Sequence, residues 1–351
     1  MQTAHETYIH RCLELALLGE GKVMPNPMVG AVLVHEGRVI GEGWHKQYGG
    51  PHAEVNCLNS VSEADKGLIS SATLYVSLEP CAHFGKTPPC ADLIIQNRIP
   101  KVVIGCRDPF EQVNGKGIEK LKNAGIDVVT GLLEHECLNL NKRFFTFHTK
   151  RRPYIILKWA QTANGMIGSG TEERLLISNE LSNRMVHQWR SEEAAILIGT
   201  NTALQDDPSL TNRFWTGNTP VRMVIDKDLR LPSHLQLFNQ QQKTIVFNSQ
   251  KQEENGKILF CKIDPNENIL KQIMDTSYKM GLQSILVEGG SKLLQSFINA
   301  NQWDEVRLIK NEKLEIKNGI AAPLFHQQNP YKKQTMQSDT INFYTNKQIN
   351  Q

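Results

Sequence analysis

In the N-terminal part of the chain, apolar residues switch repeatedly between helical spacing and strand-like runs. From about Thr3 to Leu18 they recur at the spacing of one helix face, which predicts an amphipathic helix. The stretch "PNPMVGAVLVHEGRVIGEGWH" then reads as two strands joined at Glu36-Gly37, a hairpin signal. A short helix is expected from about Ala53 to Asn59. Beyond it, "SATLYVSLEP", "KVVIGCRDP" and "DVVTGLL" read as strands, separated by the helical "PPCADLIIQNR" and "GIEKLKNAG". Such alternation implies a mostly parallel sheet covered on both faces.

The basic, aromatic passage "LNKRFFTFHTKRRP" interrupts this pattern. We place a boundary between Phe147 and Arg152, where the composition shift meets Pro153, giving domains over residues 1–147 and 148–351. The alternation then restarts with "YIILKWA", the helix "SNELSNRMVHQWRSE" and the strands "AAILIG", "VRMVID", "KTIVFN", "SILVEGG" and "EVRLIK". This predicts a second α/β domain with its own sheet. The polar tail from Asn329 contributes an edge strand at most, and the chain holds no internal repeat.

Composition narrows the class. With 351 residues, 40% hydrophobic and 21% charged, the chain has enough apolar content for two cores and is not globally disordered. A net charge of +3 without any Lys/Arg block argues against a nucleic-acid partner. Its longest apolar runs are far too short to span a membrane, and no basic-then-apolar leader opens the sequence, so a cytoplasmic location is expected. The 7 cysteines are odd in number and scattered, which points to reduced thiols rather than a disulfide framework.

Candidate chemistry concentrates in two places. In the first domain, His52 precedes a helix, and Cys81 and Cys90 flank a loop between a strand and a helix. These are zinc-ligand types, and three ligands plus a water position is the arrangement for hydrolysis. Glu54 is suited to carry a proton rather than to bind metal. The order His-x-Glu, Pro-Cys, Cys is the grammar of zinc deaminases, although eight residues separate the cysteines here. Taken alone, His52 and Glu54 also fit an ordinary helix start, and His83 could make the cluster a closed structural zinc knot. Cys12, Cys57, Cys106 and Cys137 are expected to be buried small hydrophobes. In the second domain, "VEGGSKLLQSF" offers a glycine turn and helix start able to cradle phosphate, and "GTNTALQDDPSLTNR" gathers Thr202, Asp206, Asp207 and Arg213 in a loop after a strand.

The segments "PNPMVGAVLV", "GEGWH", "GGPHAEV", "LEPCAHFGKTPPC" and "RDP", in that order, resemble the bifunctional deaminase/reductase family of riboflavin biosynthesis. The loop "AHFGKTPP" between the cysteines separates this family from nucleoside and transfer-RNA adenosine deaminases. The resemblance implies an N-terminal cytidine-deaminase-like three-layer domain followed by a dihydrofolate-reductase-like α/β domain. It also implies zinc-dependent hydrolytic deamination of a diaminopyrimidinone carrying a phosphoribosylamino group, then NADPH-dependent reduction of the ribosyl group to ribityl. Carried over, one catalytic zinc is held by His52, Cys81 and Cys90, and Glu54 is the proton shuttle. Asn26, His45, His83 and Lys86 contact the ring and phosphate of this small-molecule substrate.

In the reductase half, the resemblance assigns the cofactor to Lys158, Ala160, Ile167, Leu176, Thr202 and Asp206, together with Gly290, Ser291, Lys292, Leu293, Leu294, Gln295 and Ser296. Substrate falls to Arg174, Arg190, Leu210, Arg213 and Glu288, with the arginines as phosphate partners. A homo-oligomer joined through the reductase domain is also implied. The chain departs from the family pattern at Ala82, often Ser, at Asn164, usually Asp, and at Leu176, commonly Trp. The competing reading keeps the deaminase and makes the second domain a degenerate binding or dimerisation module.

Overall fold

The computed structural model describes residues 4–84, 88–170, 175–326 and 329–346, and its chain divides into two compact units between Arg151 and Arg152. In the first unit, α1 (Ala4–Leu17) precedes the hairpin of β1 (Gly30–His35) and β2 (Arg38–Trp44). Glu36 and Gly37 both take positive φ, 47° and 79°, as a primed hairpin turn requires. There follow α2 (Ala53–Asn59), β3 (Thr73–Leu78), α3 (Cys90–Gln96), β4 (Lys101–Cys106), α4 (Lys116–Asn123), β5 (Asp127–Thr130), α5 (Glu134–Leu140) and α6 (Lys142–Lys150). The sheet order is β2-β1-β3-β4-β5. It is mixed rather than mostly parallel: β1 runs antiparallel to both β2 and β3, and only β3, β4 and β5 are parallel.

Helices cover both faces of this sheet. Ala31 and Leu33 face α2, α3 and α4 through Ala53, Cys57, Ala91, Ile94 and Leu121. Val32 and Val34 face α1 and α5 through Ile9, Cys12, Leu15 and Cys137. Burial on both sides explains why "GAVLV" reads as an unbroken apolar run. The basic, aromatic passage forms α6, starting at the last residue of α5. Its aromatics Phe144 and Phe147 are buried while Lys150 is exposed, so mixed chemistry concealed a helix.

The second unit is built on β6 (Tyr154–Gln161), β7 (Met166–Gly168), α7 (Glu180–Glu192), β8 (Ala195–Gly199), α8 (Thr200–Asp206), β9 (Val221–Ile225), β10 (Thr244–Asn248), β11 (Glu253–Asn255), β12 (Ile258–Lys262), α9 (Ile269–Lys279), β13 (Ser284–Val287), α10 (Ser291–Asn299), β14 (Glu305–Asn311), β15 (Ile320–Ala321), β16 (Lys332–Met336) and β17 (Asp339–Thr345). Its main sheet has 10 strands in the order β11-β12-β10-β9-β8-β13-β6-β14-β17-β16. From β12 through β14 every pair is parallel, and antiparallel strands close both sides. Residues Thr202 to Asp206, read as loop, belong to α8, a helix too short for apolar periodicity to reveal. The tail supplies two strands, and the outermost, β16, carries exposed Lys332 and Lys333, which discourage further pairing. Among the described residues no helix is long and apolar enough to cross a membrane.

One close approach sets the position of α2. A Cβ on Gly43 of β2 would stand 2.2 Å from the Cys57 amide nitrogen and 2.6 Å from the Ala53 carbonyl oxygen. Only glycine lets α2 lie this close to the strand. We therefore expect Gly43→Ala to cost about 1–3 kcal/mol, the usual penalty for overpacking, read by calorimetry as a lowered unfolding temperature; an unchanged midpoint would contradict the tight seating of α2.

Candidate metal centre and candidate cofactor cleft

The N-terminus of α2 brings chemistry to the first unit. His52 is its extended cap residue, and Glu54 sits in its first turn. Cys81 follows the end of β3, and Cys90 opens α3. The Cys90 and Ala91 amides close on Cys81, donating to its Sγ at 3.3 Å and its carbonyl at 3.1 Å. His52 Nδ1 then lies 3.6 Å from Cys81 Sγ and 3.3 Å from Cys90 Sγ, and the three ligand atoms fall within 4.8 Å of one another.

This donor set fits zinc. Tetrahedral bonds of about 2.0–2.3 Å put neighbouring ligand atoms roughly 3.3–3.8 Å apart, and imidazole with two thiolates suits that ion. The two thiols act as a pair: their mutual hydrogen bond pushes Cys81 down and Cys90 up. His52 is raised to about 9, chiefly by its hydrogen bond with Cys81. Among the described residues the ligand group stops at these three. His83 does not join it; its buried Nδ1 has no hydrogen-bond partner, and its ring packs 6.0 Å from Phe110. Among the described residues no fourth side chain joins the group, and three ligands are the set of a site that keeps a coordination position for water.

Glu54 is only 3% exposed, and burial pushes its carboxyl above the usual range against the pull of His52. A carboxyl with raised proton affinity beside a three-ligand metal group has the character of a proton carrier. Asn26 and His45 converge on the same place. His45 Nδ1 donates to the Pro51 carbonyl at 3.0 Å, leaving Nε2 to accept from the Asn26 amide at 3.2 Å. Burial lowers the His45 pKa, and its ring stands 5.5 Å from that of His52. Lys86 lies outside the described residues.

Two positioning residues escaped the sequence reading. Glu79, inside the quoted "LEPC", is buried and accepts from the amides of Asp108, Gly115, Gly117 and Ile118 at 2.9–3.2 Å. It thereby ties the turn carrying Cys81 to the start of α4. Asn141, between α5 and α6, pairs both ways with the Met28 backbone at 2.8 Å and holds the loop of Asn26. Glu79 was visible as a motif residue without a role; Asn141, inside the basic, aromatic passage, gave no signal.

In the second unit a cleft of about 1060 Å³ opens at the C-terminal ends of the parallel strands. Lys158, Ala160, Ile167, Leu176, Thr202 and Asp206 line it, as do Gly290, Ser291, Lys292, Leu293, Leu294 and Ser296. Arg190, Leu210 and Glu288 line it too. Gln295 turns elsewhere, bonding Asn299 and the backbone of Leu324. Arg213 lines a smaller neighbouring cavity of about 160 Å³ with Arg190 and Leu210, and Arg174 lies outside the described residues. Thr202 explains the glycine turn, because a Cβ on Gly290 would come 3.0 Å from its Oγ1.

Three buried charges mark one end of the cleft. Arg190 grips Glu288 with two hydrogen bonds of 2.7 and 2.8 Å, and Lys158 Nζ lies 3.6 Å away. Burial alone would raise Glu288, but the two cations outweigh it and hold the carboxyl at about 2. Burial, with Arg190 nearby, lowers Lys158. Arg190 is held by Glu288 through Nε and Nη2, and its Nη1 donates to the Thr211 carbonyl at 3.3 Å. Asn164 bonds Thr162 and both backbone groups of Ile316, tying a turn where an Asp could supply only acceptors. Leu176 is 76% exposed on the cleft wall.

Comparison with known proteins agrees with these geometries. The model for the cytidine and deoxycytidylate deaminase zinc-binding region matches residues 2–106, and the RibD C-terminal domain model matches residues 153–314. The riboflavin biosynthesis protein RibD of Aquifex aeolicus is 40% identical over 310 residues, covering 86% of this chain and 85% of its own length. The protein of the same name from Escherichia coli is 35% identical over 319 residues, covering 86% of each. A diaminohydroxyphosphoribosylaminopyrimidine deaminase/5-amino-6-(5-phosphoribosylamino)uracil reductase from Thermotoga maritima superposes with a TM-score of 0.85 at 36% identity, covering 97% of this chain and 98% of that one.

His187 offers a test of the electrostatics around the cleft. Its side chain is buried at 1% exposure, and burial together with Arg190 and Arg213 lowers its pKa to about 4. Between its ordinary value near 6.5 and 4, the unfolded chain binds a proton that the folded chain refuses. Stability is therefore whole above that window and falls as pH drops through it. His187→Asn, which keeps an acceptor for the Arg213 amide, should flatten denaturant stability against pH over this range relative to wild type; parallel curves would contradict it.

Proposed function

The chain belongs to the RibD family of riboflavin-biosynthesis enzymes, and from that premise we propose which of its residues carry the deamination and which the reduction. The enzyme is a bifunctional deaminase and reductase, its first unit a zinc hydrolase and its second an NADPH-dependent oxidoreductase. We read the substrate as 2,5-diamino-6-(phosphoribosylamino)pyrimidinone, the reaction as deamination followed by reduction of ribosyl to ribityl, and the working form as a cytoplasmic homo-oligomer joined through the second unit. The observation that carries the residue assignment is the convergence of three zinc-type ligand atoms beside one buried carboxyl.

His52 Nδ1, Cys81 Sγ and Cys90 Sγ would hold the ion. Bound zinc supplies Lewis acidity, which brings the pKa of a water down to about 7. Glu54 takes one proton of the water at its carboxylate and passes it to a ring nitrogen, then takes the proton of the added hydroxyl and passes it to the amine, which departs as ammonia; its burial keeps its proton affinity high enough for both transfers. Asn26 and the neutral His45 orient the ring. In the second unit NADPH supplies the reducing hydride, while the start of α10 takes the pyrophosphate. Lys158 and Glu288, held by Arg190, face the sugar and fix its orientation. The reading in which the second unit is a degenerate module is less well supported, because its cleft retains this buried ion-paired trio.

Glu54→Gln should keep zinc at wild-type stoichiometry, measured by metal analysis, and lose ammonia release by about 10²–10⁴-fold; deamination near the wild-type rate would overturn the shuttle assignment. Lys158→Met should lose NADPH oxidation with the deaminated substrate and leave ammonia release intact. A variant that still oxidises NADPH at the wild-type rate removes Lys158 from the reductase site.

A further inference from the structure

The loop after α8, residues 207–213, is held in a conformation that its own sequence disfavours. Asp207 and Leu210 take left-handed backbone angles, with φ of 35° and 51°. Asp tolerates this region, but a bulky residue such as Leu adopts it only at a cost. Asn212 adds a second cost. Its carboxamide nitrogen and oxygen are both buried without a hydrogen-bond partner among the described residues. Such an amide has lost its water with nothing gained in return. Features of this kind persist only where the surroundings over-determine the backbone.

Side chains outside the loop do so here. Asp207 Oδ1 accepts the Gln236 amide at 2.7 Å, which fixes the start of the loop. Arg190 Nη1 donates to the Thr211 carbonyl at 3.3 Å, and His187 Nδ1 accepts the Arg213 amide at 3.0 Å. His187 and Arg190 stand one turn apart on α7, so they share a helix face. Together they grip the backbone on either side of Asn212. The loop they hold shapes a binding surface: Ser209, Leu210 and Arg213 line the side cavity of about 160 Å³, with Arg190 common to it and the cleft. The Arg213 guanidinium also donates to Ser209 Oγ, so the loop closes on itself beside that cavity.

His187 is suited to the grip. Burial, with Arg190 and Arg213 nearby, keeps its ring neutral, and a neutral ring with its proton on Nε2 can accept at Nδ1. The ring stands edge-on to Phe214 at 4.7 Å between centroids, which fixes its plane. It lines neither the cleft nor the side cavity. We propose that His187 is a positioning residue of the reductase, holding residues 207–213 in the strained arrangement that shapes the side cavity for the phosphoribosyl substrate. It acts through the Arg213 amide and touches neither substrate nor cofactor. The proposal rests on the reading in which Leu210 and Arg213 hold that substrate.

The test is steady-state reduction of the deaminated pyrimidine, made by the enzyme itself without NADPH. Wild type is compared with His187→Asn, His187→Leu, His187→Phe and Arg213→Ala, with unfolding temperature measured beside the kinetics. His187→Leu and His187→Phe lack an acceptor and should raise the substrate KM about five- to tenfold, as for an amide left unpaired. The kcat and the KM for NADPH should stay within about twofold, because only uniform binding of the substrate is lost. His187→Asn keeps an acceptor and should match wild type. An unchanged substrate KM in the Leu and Phe variants, an equal rise in both KM values, or an Asn variant as impaired as they are would overturn the assignment. So would failure of both acceptor-less variants to fold, which would make His187 a core residue alone. If Arg213→Ala leaves the substrate KM unchanged, the loop is not the substrate's seat, and that reading fails together with this inference. A rise with Arg213→Ala and none with His187→Leu or His187→Phe sinks the inference by itself.

Discussion

A strand buried on both faces has room for apolar side chains, so polar chemistry is pushed to the residues that follow where each strand ends. Much of the chemistry in both units follows this constraint, although Lys158 lies within β6. Cys81 follows β3 and Asp108 follows β4, while Thr202, Lys227 and Glu288 follow β8, β9 and β13. A charge buried at such an end needs a partner. Glu288 is paired with Arg190 and Lys158, and Glu79 takes its four amides. In the metal group, His52 and the two thiols bond one another.

The same rule explains how much of the site could be read in advance. His52, Glu54, Cys81 and Cys90 sit at turns next to strong element signals, and their residue types are uncommon there without a purpose. Their spacing and order therefore carried the chemistry. Asn141 and Glu79 act through backbone groups distant in sequence, and nothing local distinguishes such an amide or carboxylate from a surface one. Arg190 shows another limit: its partner Glu288 lies 98 residues later, just past β13, and only the fold brings the two together. Lys86 and Arg174 lie outside the described residues.

Element existence was legible wherever apolar period and turn residues agreed, as in the Glu36-Gly37 hairpin and the helix from Ala53 to Asn59. It failed where tertiary packing decided the matter. α6 mixes basic and aromatic residues and becomes a helix because its aromatic face is buried, whereas α8 is too short to show a period. Strand direction was the other loss. An alternation of strands and helices suggests parallel pairing, yet the hairpin at the start of the first sheet forces β1 antiparallel, and β3 then pairs with it in the same sense.

The central claim is that one chain performs both reactions, deamination first and reduction on its product. The direct measurement is a time course of purified, zinc-loaded protein with the phosphoribosylaminopyrimidine substrate, following ammonia and NADPH absorbance together. The account predicts ammonia release whether or not NADPH is present, with NADPH consumption lagging behind it. Ammonia without NADPH consumption would contradict the reductase half, and NADPH consumption that precedes ammonia would contradict the order.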